Sequence, residues 1–583
     1  MTDSSYDALT ELVLNCTSFV SNLKAQIRLD SPSVEVLETT TDLFTRGVEI
    51  GRITIADIRD IDNLASRRKG VAALDALLGN IRCNSSQKTD PTRIRLEISA
   101  YFFDSPDMET IRDSLLRNSL TAEIHFDYNF IFPTTAYPYL FIESHVVTEL
   151  HLNSSEMGCA GAMTLAKALM EDEVLKKLDL SEGLIDTKGM KALADAMVIN
   201  KKLKLEELNL GKNSLGDKGA NIIANVLAQR HMRIKKLCLR GNSIGNEGVK
   251  ALMNALIKNV RYSVLKSLDL AQNIFGSEGA TAIANFLTKL PSLPKSLSLS
   301  SDKWNFACTN ALADSLHPPQ IKAQHIPLLK VLDLSDTKLQ DADLETLFKA
   351  LSRNYSFNIS KLKLSNNKIS DDGAKAIAGI LSLNPYSLTE LCLNSNDIGD
   401  EGMKAIAQAL KNNYALKILN LNYNKIGAEG GYAIADALIS EGIALMSLSI
   451  KKNSLDEGSV VAIAHSLMYN RSVTQLLLGG NKIGDAGAKE FAAALLKNST
   501  LTELSLYANL TGDEGIKAIA NALICNATLI RLDMQGSKIG KEGVKAIVDA
   551  MKQNRTIVRL VMCSRTLDDD MRKSLKSDVR IDA

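Results

Sequence analysis

A single motif, LxxLxLxxN, recurs along most of this 583-residue chain and restricts its fold more than any other feature. It is carried by LKKLDL (from Leu175), LEELNLGKN (Leu205), IKKLCLRGN (Ile234), LKSLDLAQN (Leu265), ISKLKLSNN (Ile359), LTELCLNSN (Leu388), LKILNLNYN (Leu416), LMSLSIKKN (Leu445), VTQLLLGGN (Val473) and LTELSLYAN (Leu501). The central leucines of successive copies recur at a nearly constant interval, except in an irregular stretch around residue 300. Self-similarity at such a period is typical of a solenoid, in which each repeat packs against its neighbours.

Each repeat predicts one strand and one helix. In LxLxx the apolar residues alternate, so one face of a short strand points into a core and the other points outward. The segment that follows, such as IGDEG from Ile398, contains glycine and an acidic residue that can cap a helix. The residues after it place apolar side chains on one helical stripe, namely Ala405, Ile406, Ala409 and Leu410. Stacked in parallel, such units form a curved α/β solenoid with strands inside and helices outside.

An asparagine follows most of the regular strands at a fixed position. At this point the chain leaves the strand, and buried backbone groups need hydrogen-bond partners that an amide can supply. We therefore interpret this set as structural rather than ligand-binding. Its members are Asn213, Asn242, Asn273, Asn367, Asn396, Asn424, Asn453, Asn481 and Asn509.

The array is expected to occupy residues 91–563. Leu96 in RIRLEI and Ile124 in TAEIHF precede Leu150 at close to the interval of the regular repeats, which predicts two degenerate repeats ahead of them. Residues 1–90 have a helical pattern without an LxxLxL strand, which predicts a helical cap or a small separate domain. At the other end, TIVRLVMCS with Leu560 and Met562 predicts a closing strand, followed by a polar tail over residues 564–583.

The pattern is interrupted near residues 300–328. The interval from Leu297 to Leu332 is longer than the others, and Asp302 replaces the consensus asparagine, which predicts a longer loop or a change of curvature. The same segment contains Trp304, Cys308, His317 and His325. Their spacing matches no standard zinc site, so we expect a loop without a metal.

Charge and cysteine content restrict the partners and the compartment. Lys plus Arg (68) nearly equals Asp plus Glu (67), which removes the attraction that drives nucleic-acid binding. The eight cysteines form no CxxC motif and no tight cluster, which favours a reducing cytoplasm. The N-terminus is acidic where a signal peptide is basic, and no apolar run reaches the ~18 residues of a membrane span.

The repeat LxxLxLxxN followed by IGDEG and an Ala/Ile-rich helix resembles that of leucine-rich-repeat proteins of the ribonuclease-inhibitor type. These include ribonuclease inhibitor, the Ran GTPase activator, sensor arrays of nucleotide-binding immune receptors and effectors of intracellular bacterial pathogens. The resemblance covers about residues 91–563. It implies a right-handed horseshoe with an inner parallel β-sheet and outer helices, and a protein partner on the concave face or its rim. The motif is specific for the fold and not for the function.

Several departures from these relatives narrow the function. One tryptophan and small polar inner residues argue against a ribonuclease ligand. Only Asp568, Asp569 and Asp570 stand where the Ran activator has a long acidic run, and no GxxxxGK[ST] nucleotide-binding motif occurs.

No catalytic apparatus is recognisable in the sequence. No GxSxG or HExxH motif occurs. The histidines are interpreted as lying in unrelated repeats, and they are His125, His145, His151, His231, His317, His325 and His465. Four carboxylates share the outward position between the strand leucines, namely Asp179, Asp269, Asp333 and Asp533. Because their repeats are not adjacent, most of these carboxylates should lie far apart, and we interpret them as solvated. We therefore predict no catalytic residue, no cofactor and no metal, and a protein that is not an enzyme.

Outward strand positions in the C-terminal half are the predicted partner-binding site, which we call the C-terminal strip. Tyrosine and arginine are enriched at interface hot spots. Leu477 is an apolar residue at an outward position, where folding does not require an apolar side chain. The strip comprises Ile418, Asn420, Asn422, Tyr423, Lys451, Lys452, Leu477, Tyr507, Arg531 and Val561.

The predicted function is a non-enzymatic protein-interaction module, monomeric and cytoplasmic. It would act in the host cytosol if it is an injected bacterial effector. Two other functions remain open: a GTPase-activating protein resembling the Ran activator, and a small enzymatic or targeting activity in residues 1–90. The Trp304 loop and the rest of the concave face remain open as other contact sites.

Overall fold

The computed structural model describes residues 25–30, 50–56, 93–98, 113, 115–117, 121–126, 146–154, 157–259, 265–290, 294–316, 329–353, 359–383, 387–562, 568–576, 578 and 580–582. The chain divides into a first unit, residues 1–244 with 254–265, and a second unit, residues 245–253 with 266–583. From β5 onward, parallel strands alternate along the chain with helices in each unit, so the fold is a leucine-rich-repeat solenoid as predicted.

In the first unit the elements follow one another as β1 (Ala25–Asp30), β2 (Ile50–Ala56), β3 (Arg93–Ile98), β4 (Thr121–Phe126), β5 (Val147–His151), α1 (Gly158–Leu169), β6 (Lys177–Asp179), α2 (Thr187–Ile199), β7 (Glu207–Asn209), α3 (Gly216–Leu227) and β8 (Lys236–Cys238). Helix α4 (Asn246–Lys258) contributes residues to both units. The strands pair in parallel through their central residues, Ile27, Ile53, Leu96, Ile124, Leu150, Leu178, Leu208 and Leu237.

The described part of residues 1–90 is β-structure. Strands β1 and β2 pair with each other, and β2 pairs with β3, so the sheet begins well before residue 91. The expected helical pattern over this segment otherwise falls outside the described residues. Strand β1 offers only the short alternation of Ile27 with Leu29, whereas β2 has the spacing of the LxxLxL motif with isoleucine at each position, Ile50, Ile53 and Ile55, and this repeat was missed.

In the second unit the elements are β9 (Ser267–Asp269), α5 (Ser277–Lys289), β10 (Ser296–Ser298), α6 (Phe306–Leu316), β11 (Val331–Asp333), α7 (Asp341–Arg353), β12 (Lys361–Lys363), α8 (Asp371–Ser382), β13 (Glu390–Cys392), α9 (Asp400–Leu410), β14 (Ile418–Asn420), α10 (Ala428–Leu438), β15 (Ser447–Ser449), α11 (Glu457–Ser466), β16 (Gln475–Leu477), α12 (Asp485–Leu495), β17 (Glu503–Ser505), α13 (Asp513–Cys525), β18 (Arg531–Asp533), α14 (Lys541–Gln553), β19 (Arg559–Val561), α15 (Asp569–Leu575) and β20 (Ile581–Asp582). Neighbouring strands are parallel and keep their central leucines in register.

The core lies between the sheet and the helices. Leu419 of β14 and Leu421 just after it are both 0% exposed. On α9 the buried stripe is formed by Met403, Ile406, Ala407, Ala409 and Leu410. The predicted stripe is therefore confirmed except at Ala405, which is only half-buried. Ala407, which was not predicted, is buried in the core.

The recurring asparagines connect adjacent repeats, as predicted. Asn424 Nδ2 donates to the carbonyl oxygens of Leu393 (2.9 Å) and Leu421 (3.0 Å), one in each of two neighbouring repeats. Its Oδ1 accepts from the amide of Ile398 at 3.1 Å. The same arrangement recurs at other repeats, so this amide ladder satisfies backbone groups that would otherwise be buried without a partner.

The acidic residue of the IGDEG segment caps the helix of the next repeat, and not the helix that it begins. Asp400 begins α9, and its Oδ1 accepts from the amides of Gly427 (2.7 Å) and Gly430 (2.8 Å) at the start of α10. A Cβ on Gly430 would lie 2.8 Å from that oxygen, which explains the glycine at this position. Asp371, Asp485 and Asp513 repeat the arrangement. Each of these helix starts is therefore stabilised by the preceding repeat.

The segment around Trp304 is an ordinary repeat over the residues described, so the predicted loop is wrong for residues 300–316. Trp304 is 6% exposed and donates Nε1–H to Thr309 Oγ1 at 3.0 Å. Its ring meets Phe275 edge-on with centroids 6.2 Å apart. An enclosed, hydrogen-bonded ring is not available to a partner. Residues 317–328, with His317 and His325, lie outside the described residues.

Where Asp302 replaces the consensus asparagine, the neighbouring Ser301 forms a different connection to the preceding repeat. Its hydroxyl lies 2.9 Å from the carbonyl oxygen of Asn273 and 2.6 Å from that of Phe275. The hydroxyl thereby continues the connection between repeats that the amide ladder makes elsewhere.

The C-terminal segment continues the array beyond the predicted closing strand. After β19, the segment predicted as a polar tail forms α15 and β20, and Leu560 pairs with Ile581. Arg580 donates from Nη1 to the carbonyl oxygen of Asn554 (2.8 Å) and from Nη2 to that of Met551 (2.5 Å). Hydrogen bonding from this guanidinium also lowers the pKa of Asp578. Arg580 thus satisfies carbonyl groups at the end of α14.

Candidate functional site

The C-terminal strip lies within the second unit, on strands β14 to β19 and the turns after them. Strand register aligns Ile418 with Ser447, Gln475, Glu503 and Arg531 in one row across the sheet. A second row contains Asn420, Ser449, Leu477, Ser505, Asp533 and Val561. The other strip residues, Asn422, Tyr423, Lys451, Lys452 and Tyr507, lie in the turns that follow the strands.

Apolar and aromatic side chains of the strip are accessible. Tyr423 is 59% exposed, Ile418 40% and Tyr507 36%, whereas the leucines between the rows are buried. Leu477 and Val561 are half-buried, and Arg531 is exposed. The exposed tyrosines have the combination of apolar ring and polar hydroxyl that interface anchors use.

Tyr423 and Lys452 occupy a left-handed backbone position, with φ of 55° and 54°. Glycine or asparagine adopts this conformation most readily. Equivalent turns place Ser395, Gly480 or Ala508 there, so the backbone does not require a large side chain. A tyrosine at this position therefore has no structural explanation in the turn itself.

Two members of the strip have structural roles that the sequence did not reveal. Asn422 Oδ1 accepts from Ser449 Oγ (2.7 Å) and from the amide of Lys451 (2.6 Å) on the next repeat. Asn420 Oδ1 accepts from the amide of Asn422 at 3.1 Å. These oxygens hold the turns that present Tyr423 and Lys451.

A second cluster lies in the first unit and was missed by the sequence analysis. His125 of β4 and His151 of β5 are register partners, and their rings stack with centroids 3.8 Å apart and an interplanar angle of 8°. His125 Nε2 lies 2.6 Å from Glu123 Oε1, and His151 Nδ1 lies 4.0 Å from Asp179 Oδ2. Assigning these histidines to unrelated repeats was wrong, because their strands are adjacent. We call His125 and His151 the histidine pair.

The histidine pair is partly buried. Burial lowers the pKa of His151, and the nearby His125 lowers it further. Among the described residues, the buried Nε2 of His151 has no hydrogen-bond partner. Glu123, His125 and His151 place one potential metal-ligand atom each within 4.8 Å of the others.

Comparison with known proteins identifies the repeat. The family model described as "Leucine Rich repeat" matches residues 201–223, 233–253, 263–284, 325–348, 355–378, 387–407 and 413–435. The model described as "TMOD/LMOD Leucine-rich domain" matches residues 450–573. With the sheet register and the amide ladder, these matches define the class: the chain is a leucine-rich-repeat protein.

Two solved structures show distant similarity to this chain. The leiomodin-1 actin-binding site 2 is 22% identical, with 26% of this chain and 85% of that chain covered and a TM-score of 0.22. An internalin (inlF) from Listeria monocytogenes str. 4b F2365 is 18% identical, with 66% and 86% covered and a TM-score of 0.36. No curated protein matches the chain significantly. Neither structural similarity is close enough to assign a partner.

Among the helices that the structure describes, none is long and apolar enough to cross a bilayer.

Proposed function

We propose that this protein is a non-enzymatic interaction module that binds a protein partner through the C-terminal strip. The observation that carries the proposal is the pair of side-chain rows across β14 to β19, flanked by the exposed rings of Tyr423 and Tyr507. Rigid parallel strands hold these side chains at fixed spacing. Binding therefore costs little conformational entropy.

The composition of the strip favours a partner with an apolar centre and acidic groups around it. Ile418, Tyr423 and Tyr507 supply accessible apolar surface, while Lys452 and Arg531 supply positive charge. Aromatic anchors surrounded by charged residues are the usual anatomy of a protein interface. Masking of the partner's own surface would follow from such binding, which gives the module a regulatory or inhibitory effect.

Quantitative affinity purification tests the proposal. The intact chain, a Tyr423→Ala/Tyr507→Ala variant and a Tyr414→Ala/Tyr469→Ala variant are used as baits in native or host cytosol. Tyr414 and Tyr469 match Tyr423 in exposure, at 59% each, but lie between a helix and the next strand rather than after a strand. We expect a protein recovered by the intact bait and the control but lost by the strip variant. Equal recovery by all three baits would eliminate the strip.

The narrower functions named from the sequence remain proposals with separate tests. A GTPase-activating role predicts that the purified chain accelerates GTP hydrolysis by Ran. An activity in residues 1–90 predicts that a chain lacking them loses a function that the strip variant keeps. We propose that the protein is a monomer that acts in the host cytosol if it is an injected bacterial effector, and in the cytoplasm otherwise.

A further inference from the structure

We propose that Glu123, His125 and His151 bind one zinc ion on the sheet of the first unit. This inference is independent of the C-terminal strip, with which it shares no residue. It revises the sequence-based expectation that the chain has no metal site. The proposal stands on the juxtaposition of two imidazoles and a carboxylate on adjacent strands.

The ligand types are those that zinc prefers. Zinc is bound by imidazole nitrogen and carboxylate oxygen at about 2.0–2.2 Å, which sets ligand atoms about 3.3 Å apart in a tetrahedron. The three candidate ligand atoms already lie within 4.8 Å of one another. Closing this difference requires side-chain rotations that separate the stacked rings, while the paired strands hold the two residues side by side. Hard ions such as Mg²⁺ and Ca²⁺ prefer oxygen-only sites.

An unsatisfied atom marks the place for the ion. The buried His151 Nε2 has no hydrogen-bond partner among the described residues. A buried polar atom without a partner costs about 1–3 kcal/mol and in a native protein usually indicates a bound water or ion. A metal ion bound through this nitrogen would remove the cost.

Asp179 is positioned to orient His151. Asp179 Oδ2 lies 4.0 Å from His151 Nδ1, on the opposite side of the ring from Nε2. The carboxylate is itself held by Ser181 Oγ at 2.7 Å and by Asn209 Nδ2 at 2.9 Å. Metal-binding histidines usually have a carboxylate or carbonyl near the second ring nitrogen, which fixes the tautomer that binds the metal.

The surrounding charges favour a cation. Glu123, Glu149 and Asp179 place three carboxylates on neighbouring strands of this sheet. The Lys177 amine pairs with one of them, Glu149, at 2.8 Å. Carboxylates concentrated on a partly buried surface attract a divalent ion.

Calorimetric titration of the full-length chain, stripped with a chelator, tests the site. We expect one zinc ion to bind per chain and Mg²⁺ to give no binding. The variant His125→Gln/His151→Gln should lose this equivalent of zinc, and Asp179→Asn should weaken binding by about 10- to 100-fold. His465→Gln is the matched control, because His465 also lies beside a carboxylate, Glu490 at 3.4 Å, on an exposed surface. Unchanged zinc uptake by the histidine-pair variant, or none by the intact chain, would overturn the proposal.

X-ray absorption of the zinc-loaded intact chain covers the case in which the double variant fails to fold. The expected first shell contains two imidazoles and at least one oxygen at about 2.0–2.2 Å. A shell with one imidazole or none would also overturn the proposal.

Discussion

Replacing Asn424 with alanine is expected to lower the free energy of unfolding by about 3 kcal/mol. Without the side chain, the amide of Ile398 loses its hydrogen-bond acceptor, Asn424 Oδ1. The carbonyl oxygens of Leu393 and Leu421 each keep one amide donor, from Asn396 and Asn453. The cost is therefore one orphaned buried N–H, worth about 1–3 kcal/mol, plus two lost hydrogen bonds of about 0.5–1.5 kcal/mol each.

Urea unfolding followed by far-UV circular dichroism measures this loss. Asn412→Ala is the matched control, because Asn412 is exposed and should tolerate the change within about 0.5 kcal/mol. A stability of Asn424→Ala equal to that of the intact chain would show that the ladder does not hold the repeats together.

Replacing Leu448 with alanine is expected to cost about 3–4 kcal/mol. Leu448 is 1% exposed and stands in register between Leu419 and Leu476, so truncation opens a cavity in the layer between sheet and helices. Buried leucine-to-alanine changes lose the transfer free energy of the side chain and leave a cavity that neighbours fill only in part. The midpoint of the same urea transition should fall accordingly.

Leu496→Ala is the matched control, because it makes the same leucine-to-alanine change at an exposed position. Leu496 follows the last residue of α12 and is 59% exposed, so its removal should change the free energy of unfolding by less than about 0.5 kcal/mol. Equal losses from the two leucine variants would contradict the shared core of the second unit.

The regular repeats were predictable because one motif fixes both a strand and its register. Leucines that recur at a near-constant interval, such as Leu419, Leu448 and Leu476, align directly in the sheet. The rows of the C-terminal strip follow from that register. The roles of Asn420 and Asn422 did not, because only the folded turn shows that their oxygens accept backbone hydrogen bonds.

The sequence-based predictions were wrong where the spacing of the repeats was known from the sequence but the position of an insertion or a contact was not. The interval from Leu297 to Leu332 is longer than the others, yet the buried Trp304 and helix α6 show that the predicted loop does not begin directly after the strand. The same ambiguity concealed which helix Asp400 caps, because a residue at a helix start can also reach the neighbouring repeat.

The histidine pair could have been predicted from the sequence. His125 directly follows Ile124, and His151 directly follows Leu150, so the register of these two strands places the rings side by side. Motif searches along one strand miss such a pair, since its members are neighbours only across the sheet. Only the folded structure shows that His151 Nε2 has no hydrogen-bond partner among the described residues.

Hydroxyl-radical footprinting of the chain, alone and with the recovered partner, tests the central claim most directly. We expect oxidation of Ile418, Tyr423 and Tyr507 to fall several-fold in the complex, because the partner would exclude water from these exposed side chains. Oxidation of the equally exposed Tyr414 and Tyr469 should stay constant. Protection of Tyr414 and Tyr469, with Tyr423 and Tyr507 still reactive, would contradict binding through the C-terminal strip.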